Sequence, residues 1–261
     1  MNEKINLIFN TMVQAVISAS TKIMEIYNSG FSINYKEDSS PLTNADLASN
    51  KIITSALERF NIKILSEEVH DDFTRLNEKE IFILDPLDGT QDFVNKDNSF
   101  GINLAYVVNN RPVIGIIGIP YEKAYAYAIK GKGAFLVKGN TKTKLNVSNR
   151  NDNLIYIASK THNIKEETLL YENNPHVSKV ITSGASTKAV LLSQGKADVS
   201  IRLTNLTKEW DVVSCDILVE EAGGYFATTN NKQFLYNKKD VINKNGYVMV
   251  NSRNNLKYFN Y

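Results

Sequence analysis

The spacing of apolar residues near the start of the chain predicts two amphipathic helices. From residue 2 to residue 28, apolar side chains recur at steps of three and four, which places them on one face of a helix. The polar residues 34–43 predict an exposed loop. Thr43 or Asn44 then supplies the N-cap of a second helix that extends to about residue 60.

Short apolar runs rich in β-branched and aromatic residues predict a set of strands in the first half of the chain. The four apolar residues 81–84 are typical of a buried strand. The runs 102–108 and 113–119 flank Asn109-Asn110-Arg111-Pro112, whose turn-forming residues predict a hairpin. The other predicted strands of this half are 62–65, 125–129 and 134–137.

The second half of the chain mixes both kinds of element. Strands are predicted at 154–159, 199–203 and 247–250, and helices at 184–194 and 212–222. Helices and strands come in blocks without strict alternation, which argues against a simple doubly wound or barrel fold. We therefore expect mixed α/β layers in two lobes, residues 1–150 and 151–261, that form one compact catalytic unit.

Composition excludes several classes of function. The 30 basic and 28 acidic residues give a net charge of +2 without a long basic run, so we expect no nucleic-acid partner. No stretch approaches the roughly 18 uninterrupted apolar residues of a membrane span, and no signal peptide is recognised. The single cysteine, Cys215, is interpreted as core filler and fits a reducing cytoplasm. The scattered His70, His162 and His176 are interpreted as surface residues, and no zinc site is expected.

The sequence Asp85-Pro86-Leu87-Asp88-Gly89-Thr90, directly after the buried strand 81–84, is the strongest candidate for chemistry. Pro86 cannot donate to a sheet ladder, so we expect strand pairing to stop there. Two carboxylates with a carbonyl between them offer the oxygen ligands of a hard cation such as Mg²⁺, and N–H groups after Asp88 can face an anion. This combination indicates phosphate chemistry, although the same dipeptides are common in solvated turns.

Three further acidic residues are candidates to converge on this turn. Glu67 follows the predicted strand 62–65 as Asp85 follows its own strand, and neighbouring strand ends would bring the two together. Asp46 and Asp211 lie in the first turns of predicted helices, where a carboxylate also serves as an ordinary cap or dipole partner. Solvent exposure is the ordinary alternative for Glu67. The residue types alone leave both interpretations open.

Four ordered motifs carry a resemblance to a known family. They are Lys36-Glu37-Asp38-Ser39-Ser40-Pro41-Leu42-Thr43-Asn44-Ala45-Asp46, Ser66-Glu67-Glu68, Asp85-Pro86-Leu87-Asp88-Gly89-Thr90-Gln91-Asp92-Phe93, and Trp210-Asp211 with Glu221-Ala222-Gly223-Gly224. Over nearly the whole chain they resemble the inositol monophosphatase superfamily of magnesium-dependent, lithium-sensitive phosphatases. The resemblance implies a layered α/β/α/β/α sandwich of the sugar-phosphatase type, two or more Mg²⁺ ions per site and a small phosphorylated substrate.

The resemblance also implies a set of metal ligands. Glu67, Asp85 and the carbonyl of Leu87 would hold one Mg²⁺. Asp85, Asp88 and Asp211 would hold a second. The clustered carboxylates would repel one another in a dry site, so the cations also make the cluster tolerable. We expect weak metal occupancy without substrate phosphate.

The remaining catalytic roles follow from the same resemblance. Thr90 and Asp46 would position and deprotonate the attacking water, helped by Glu67. Backbone N–H groups of Gly89 and Thr90 would bind the phosphate. The substrate-binding set carried over in this way is Glu67, Leu87, Asp88, Gly89, Thr90 and Asp211.

Within the superfamily, the chain is most similar to the branch that converts adenosine 3',5'-bisphosphate to AMP and phosphate by two-metal activation of water. Residues 36–46 are similar to that branch's charged loop. Gly184, Ser186, Lys188 and the later Arg202 are similar to the region that lines its nucleotide, and would contact the ribose or phosphates. Surface exposure is the ordinary alternative for Lys188 and Arg202.

Other functions stay open. Gln91-Asp92 and Ser200 depart from the branch's pattern, which leaves an inositol phosphate or another small sugar phosphate as an alternative substrate. Haloacid-dehalogenase phosphatases carry an Asp-x-Asp-Gly-Thr motif that resembles this turn. Their two Asp residues are two positions apart, whereas Asp85 and Asp88 are three apart, which disfavours that family. A non-catalytic phosphate-binding protein is disfavoured because all the metal ligands and Thr90 are present. We expect a cytoplasmic monomer or homodimer without integral membrane association.

Overall fold

The fold was obtained as a computed structural model that describes residues 3–36, 39–161 and 163–261. The predictions for Asn2, Glu37, Asp38 and His162 lie outside the described residues. The α-helices within these ranges are α1 (Glu3–Ser29), α2 (Asn44–Leu57), α3 (Thr90–Val94), α4 (Lys165–Leu169), α5 (Thr187–Ser193) and α6 (Glu209–Glu221). The helix predicted at 184–194 is therefore shorter than expected.

A small antiparallel hairpin stands where an exposed loop was predicted. Strands β1 (Ile33–Tyr35) and β2 (Pro41–Thr43) pair directly, so the loop prediction is wrong for these residues, whereas the predicted exposure holds for β1. Backbone hydrogen bonds hold the hairpin turn, with Lys36 N donating to Ser40 O at 2.9 Å. All three side chains of β1 are exposed, so the strand has no apolar pattern that a sequence can reveal.

The larger sheet contains seven strands in sequential order and is antiparallel except for its first pair. Its strands are β3 (Lys63–Ser66), β4 (Glu80–Asp88), β5 (Gly101–Val108), β6 (Arg111–Ile119), β7 (Ala124–Ile129), β8 (Gly133–Lys138) and β9 (Thr141–Leu145). The predicted hairpin is formed by β5 and β6.

The second sheet contains five strands in the order β11-β10-β12-β14-β13. Its strands are β10 (Leu154–Ser159), β11 (Val177–Ser183), β12 (Val199–Arg202), β13 (Tyr225–Ala227) and β14 (Tyr247–Val250). The pairs that β10 makes with β11 and β12 are parallel, and β14 pairs antiparallel with β12 and β13.

Alternating side chains bury both faces of each sheet and stack the elements in five layers. Phe82 on one face of β4 packs in a cluster with residues of α1 and α2. Ile83 on the opposite face packs in a second cluster with α5, α6 and the inner face of the five-stranded sheet. The outer face of that sheet packs against Leu170, after α4, and the 3₁₀ helix Arg253–Tyr258. The predicted α/β/α/β/α sandwich is confirmed.

The length and apolar composition of helix α1 would suffice to cross a membrane. Its most apolar 18-residue window has a mean hydropathy of 1.2, and 39% of that window is buried. Nine residues of α1 are buried, among them Ile8, Met12 and Ile23, which belong to the cluster shared with α2 and the large sheet. The apolar stripe of α1 is therefore accounted for by core packing.

Strand β4 does not end at Pro86 as expected. Asp85 pairs with Asn103 of β5, and pairing resumes between Asp88 and Gly101 after a shift of register. The shift accommodates a proline that has no N–H to donate. The strand therefore continues past Pro86 with a bulge at the point where the candidate motif lies.

Candidate active site

Three carboxylates from separate elements converge beside the bulge of β4. Because β3 and β4 are parallel, Glu67 and Asp85 emerge at the same edge of the sheet, and Glu67 N donates to Leu84 O at 3.1 Å. The first turn of α6 brings Asp211 to the same point. One carboxylate oxygen from each of Glu67, Asp85 and Asp211 lies within 4.8 Å of the other two. They line a cleft of about 530 Å³.

Burial and mutual repulsion make this cluster electrostatically strained. Burial raises the pKa of Asp85 well above its ordinary value, and the charges of Glu67, Asp88 and Asp211 raise it further. Burial also raises the pKa of Asp211, followed by the charges of Glu67 and Asp88. Clustered buried carboxylates are tolerated when a cation compensates them. A set of carboxylate oxygens is what Mg²⁺ prefers, so the residues present fit that ion.

A cation from the protein already approaches the cluster. Lys36, the residue after β1, places Nζ 2.9 Å from Glu67 Oε1 and 2.8 Å from Glu68 Oε1. Burial alone would lower the pKa of Lys36, but the two carboxylates outweigh burial and raise it. Glu67 is therefore paired with Lys36 and only partly exposed to solvent.

Asp46 and Asp211 also make the capping contacts that the sequence left as an alternative. Asp46 Oδ2 accepts the N–H of Thr43 at 2.8 Å, and Asp211 Oδ2 accepts the N–H of Lys208 at 2.7 Å. Each carboxylate thus uses one oxygen to hold its helix start. The two interpretations are compatible, because the other oxygen of Asp46 accepts from the Thr90 hydroxyl at 3.0 Å.

Asp88 lies beside the cluster of three but is held differently. Its Oδ2 accepts the N–H of Ser186 at 2.7 Å and Nδ2 of Asn103 at 3.0 Å. Burial raises the pKa of Asp88, while the contact with Ser186 lowers it. Asn103 was not identified from the sequence. Its one signal is a polar residue within the apolar run of β5, where it is fully buried.

The turn after Asp88 requires glycine. Gly89 has φ of +86°, a conformation that side chains rarely adopt, and a Cβ there would lie 3.1 Å from Ser99 O and 3.2 Å from Ala185 Cβ. Thr90 follows and donates its hydroxyl to the carbonyl of Leu87 at 3.0 Å as well as to Asp46. The side chain of Thr90 is therefore fixed above the bulge.

The remaining predicted residues come from the second half of the chain. Lys188 and Arg202 are 8% and 5% exposed and both line the cleft, so the surface alternative is wrong for both. Burial lowers the pKa of Lys188, and the charge of Arg202 lowers it further. Arg202 Nη1 donates to Glu167 Oε2 at 3.1 Å. Glu167, in α4, was not identified, because nothing in a short charged helix signals a buried partner.

Ser186 and Gly184 lie at the edge of this group. Ser186 contributes its N–H to Asp88. Gly184 lies against Asp92, because a Cβ at Gly184 would be 2.2 Å from Asp92 Oδ2. The structure thus gives Gly184 a packing reason that the sequence did not suggest.

Known proteins are similar to this chain in sequence and in fold. The model of the inositol monophosphatase family matches residues 5–258. The 3'(2'),5'-bisphosphate nucleotidase CysQ of Aggregatibacter actinomycetemcomitans is 30% identical over 250 residues, covering 91% of this chain and 90% of the relative. CysQ of Buchnera aphidicola is 32% identical over 236 residues, covering 87% and 88%.

Solved structures agree with the sequence relatives. The crystal structure of CysQ from Bacteroides thetaiotaomicron, described as a bacterial member of the inositol monophosphatase family, matches with a TM-score of 0.81 and 30% identity. The match covers 92% of this chain and 95% of that chain. With a family match over almost its whole length, the chain belongs to the inositol monophosphatase family and is a phosphatase of that family.

Proposed function

We propose that this phosphatase depends on Mg²⁺ and removes the 3'-phosphate of adenosine 3',5'-bisphosphate to give AMP and phosphate. The observation that carries the proposal is that one cleft holds both the carboxylate cluster of Glu67, Asp85 and Asp211 and the buried cations Lys188 and Arg202. The carboxylates suit a metal ion, and the two cations suit an additional phosphate group on the substrate.

The chain's own residues supply the metal ligands. Glu67, Asp85 and the carbonyl of Leu87 would hold one Mg²⁺, and Asp85, Asp88 and Asp211 a second. When bound, Mg²⁺ neutralises phosphate charge and makes water more acidic, which is the main requirement of phosphoryl transfer. The N–H groups of the turn after Asp88 would orient the phosphate.

Thr90 and Asp46 would position the water. Asp46 accepts from the Thr90 hydroxyl, and burial raises the pKa of Asp46, which favours its taking a proton. The hydroxyl oxygen of Thr90 can accept a hydrogen bond from water while it donates to Asp46. A proton can therefore pass from water through Thr90 to Asp46, as expected of a general base.

Substrate choice rests on Lys188 and Arg202. Two buried cations in a cleft are costly unless an anion compensates them, and Arg202 is matched by Glu167 while Lys188 has no ion pair among the described residues. The CysQ relatives carry the name 3'(2'),5'-bisphosphate nucleotidase, which supports a nucleotide with two phosphates. An inositol phosphate is the second candidate, because the family is named for that substrate.

A panel of substrates tests the proposal. With Mg²⁺, adenosine 3',5'-bisphosphate should show higher kcat/KM than inositol 1-phosphate or fructose 1,6-bisphosphate. Lys188→Ala should lower kcat/KM for the bisphosphate by about 10–150-fold, the value of a lost charged hydrogen bond, and spare a simple monophosphate. Lys138→Ala removes a lysine that is exposed and paired with Glu122, and serves as the control.

Two results would contradict the nucleotide assignment. One is a preference of the wild-type enzyme for inositol 1-phosphate. The other is an equal loss on both substrates in Lys188→Ala, which would assign Lys188 a general structural role.

The division into lobes at residue 150, the cytoplasmic location and the monomeric or homodimeric state stay predictions.

A further inference from the structure

A third helix in the site begins with an aspartate that does not cap it. Asp46, Asp92 and Asp211 each occupy the third position of a helix, in α2, α3 and α6. Asp46 and Asp211 accept the N–H of their N-cap residues. The N-cap of α3 is Gly89, and no side chain caps it. The usual structural reason for an aspartate at this position is therefore missing for Asp92.

One carboxylate oxygen of Asp92 is buried without a hydrogen-bond partner among the described residues. The residue is 3% exposed, and its Oδ1 has no hydrogen-bond partner among the described residues. Its other oxygen, Oδ2, lies close to the backbone of Gly184, because a Cβ added at Gly184 would be only 2.2 Å from Oδ2. A buried carboxylate oxygen without a donor destabilises a fold, and the residue Asp92 lines the cleft, so a ligand bound there could supply the missing donor.

The position of Asp92 indicates the part of the cleft in which a ligand could supply that donor. Asp92 lines the same cleft as the metal cluster. A Cβ at Gly89 would be 3.5 Å from Asp92 Oδ2, so the carboxylate adjoins the turn assigned to the phosphate. A ligand group that reaches Asp92 would therefore lie close to a phosphate bound at this turn.

The charges around Asp92 define the ligand chemistry. Burial raises the pKa of Asp92 to about 6, the charges of Asp97 and Asp88 raise it, and those of Lys160 and Lys188 lower it. An ionised carboxylate accepts hydrogen bonds and repels phosphate oxygens. A hydroxyl group satisfies this site, whereas a second phosphate does not.

We propose that Asp92 is a specificity-determining residue that accepts a hydrogen bond from the substrate hydroxyl on the carbon next to the phosphorylated carbon. This inference rests on the proposed function and adds to it a requirement for that neighbouring hydroxyl. For adenosine 3',5'-bisphosphate, the hydroxyl is the ribose 2'-OH. Lys188 and Arg202 would recognise the distant phosphate, and Asp92 the alcohol.

Paired substrates that differ by one hydroxyl test the inference. The wild-type enzyme should hydrolyse adenosine 3',5'-bisphosphate with at least about 10-fold higher kcat/KM than its 2'-deoxy analogue. In Asp92→Ala, the ratio should fall to about one, because the acceptor is gone. Asp152→Ala, which removes an exposed aspartate paired with His176, should keep the wild-type ratio. An equal ratio in wild type and Asp92→Ala would overturn the inference.

A second pair separates this inference from the nucleotide assignment. If wild type hydrolyses inositol 1-phosphate and neither nucleotide, the nucleotide assignment fails, and the role of Asp92 is then decided on inositol 1-phosphate and cyclohexyl phosphate, which has no hydroxyl. Asp92→Ala should lose its preference for the first of these. An unchanged preference would overturn the role of Asp92 with either substrate class.

Thermal stability distinguishes a substrate-binding role of Asp92 from a structural role. Because Asp92 Oδ1 has no partner, Asp92→Asn should leave the melting temperature of the ligand-free enzyme equal to or above that of wild type. A large fall in melting temperature for Asp92→Asn would assign Asp92 a structural role and contradict the inference.

Discussion

The hydroxyl of Thr90 lies 3.0 Å from Oδ1 of Asp46 and joins the turn after β4 to the first turn of α2. The second oxygen of Asp46 accepts from Thr43, so the carboxylate is held on both sides. Thr90 also donates to the carbonyl of Leu87, and the two contacts share one proton. This arrangement fixes a hydroxyl oxygen beside the carboxylate cluster with its lone pairs available to water.

The first prediction concerns this contact. Thr90→Val preserves the shape of the side chain and removes the hydroxyl, so kcat should fall by about 10²–10⁴-fold, the usual contribution of positioned proton transfer. Thr90→Ser keeps the hydroxyl and should keep most of the activity. Steady-state kinetics at saturating substrate and Mg²⁺ measure both variants. Near wild-type kcat in Thr90→Val would remove Thr90 from the proposed mechanism.

The second prediction concerns metal removal. EDTA should abolish turnover and lower the melting temperature, because Asp85 and Asp211 then repel each other without compensation. Asp88→Asn should lose at least about 100-fold in kcat, because charge neutralisation by a catalytic cation is worth several kcal/mol. Its amide oxygen still accepts from Ser186, so circular dichroism should show an intact fold. Turnover that persists in EDTA would contradict the proposed metal dependence.

The third prediction is inhibition by lithium, which the family resemblance implies. A small monovalent ion among Asp85, Asp88 and Asp211 cannot supply the charge of Mg²⁺. Turnover should fall at high millimolar LiCl and stay constant at equal concentrations of KCl. Equal rates in the two salts would mean that this site differs from that of the family.

Local signals in the sequence were sufficient for the centre of the site. The turn Asp85–Thr90 follows an apolar run, and the chain order of β3 and β4 places Glu67 beside it. These features depend on residues near one another in sequence or on neighbouring strands. The layered fold followed from the family resemblance, which also supplied the remaining ligands.

Features that depend on distant partners could not be predicted. The burial of Arg202 depends on Glu167, and the orientation of Asp88 depends on Asn103 and Ser186. Each partner is separated from the residue it holds by at least 15 positions. Hydrophobic periodicity carries no information about such polar pairs.

The fourth prediction tests the packing of Gly184 against Asp92. A Cβ at Gly184 would lie 2.2 Å from Asp92 Oδ2, so Gly184→Ala should destabilise the fold by about 1–3 kcal/mol. In an Asp92→Ala background part of that loss should disappear, although Ser99 O remains 3.0 Å from the added atom. Urea unfolding of the four proteins in a double-mutant cycle gives the coupling energy.

Gly115 supplies the matched control for this cycle. A Cβ at Gly115 would lie 2.4 Å from Ile217 Cγ2, in the core between β6 and α6. Gly115→Ala should therefore destabilise the fold by an amount that is additive with Asp92→Ala. If the changes in the free energy of unfolding caused by Gly184→Ala and Asp92→Ala were additive, the two residues would not be in energetically significant contact.

The fifth prediction is the pH dependence of stability that Asp92 produces. Burial raises the pKa of Asp92 from 3.8 to about 6 in the folded protein. The folded state thus binds more protons at this group than the unfolded state, so its stabilising contribution is complete below about pH 3.8 and is lost as pH rises through about 6. Asp92→Asn is neutral throughout and has no such dependence. The free energy of unfolding in urea, measured with EDTA from pH 4 to pH 8, should therefore fall for wild type relative to Asp92→Asn as pH rises to about 7, with a constant difference above it. Subtraction of the two curves removes most of the contribution of the metal-binding carboxylates, which both proteins share. Parallel curves over the whole range would mean that Asp92 keeps an ordinary pKa in the fold.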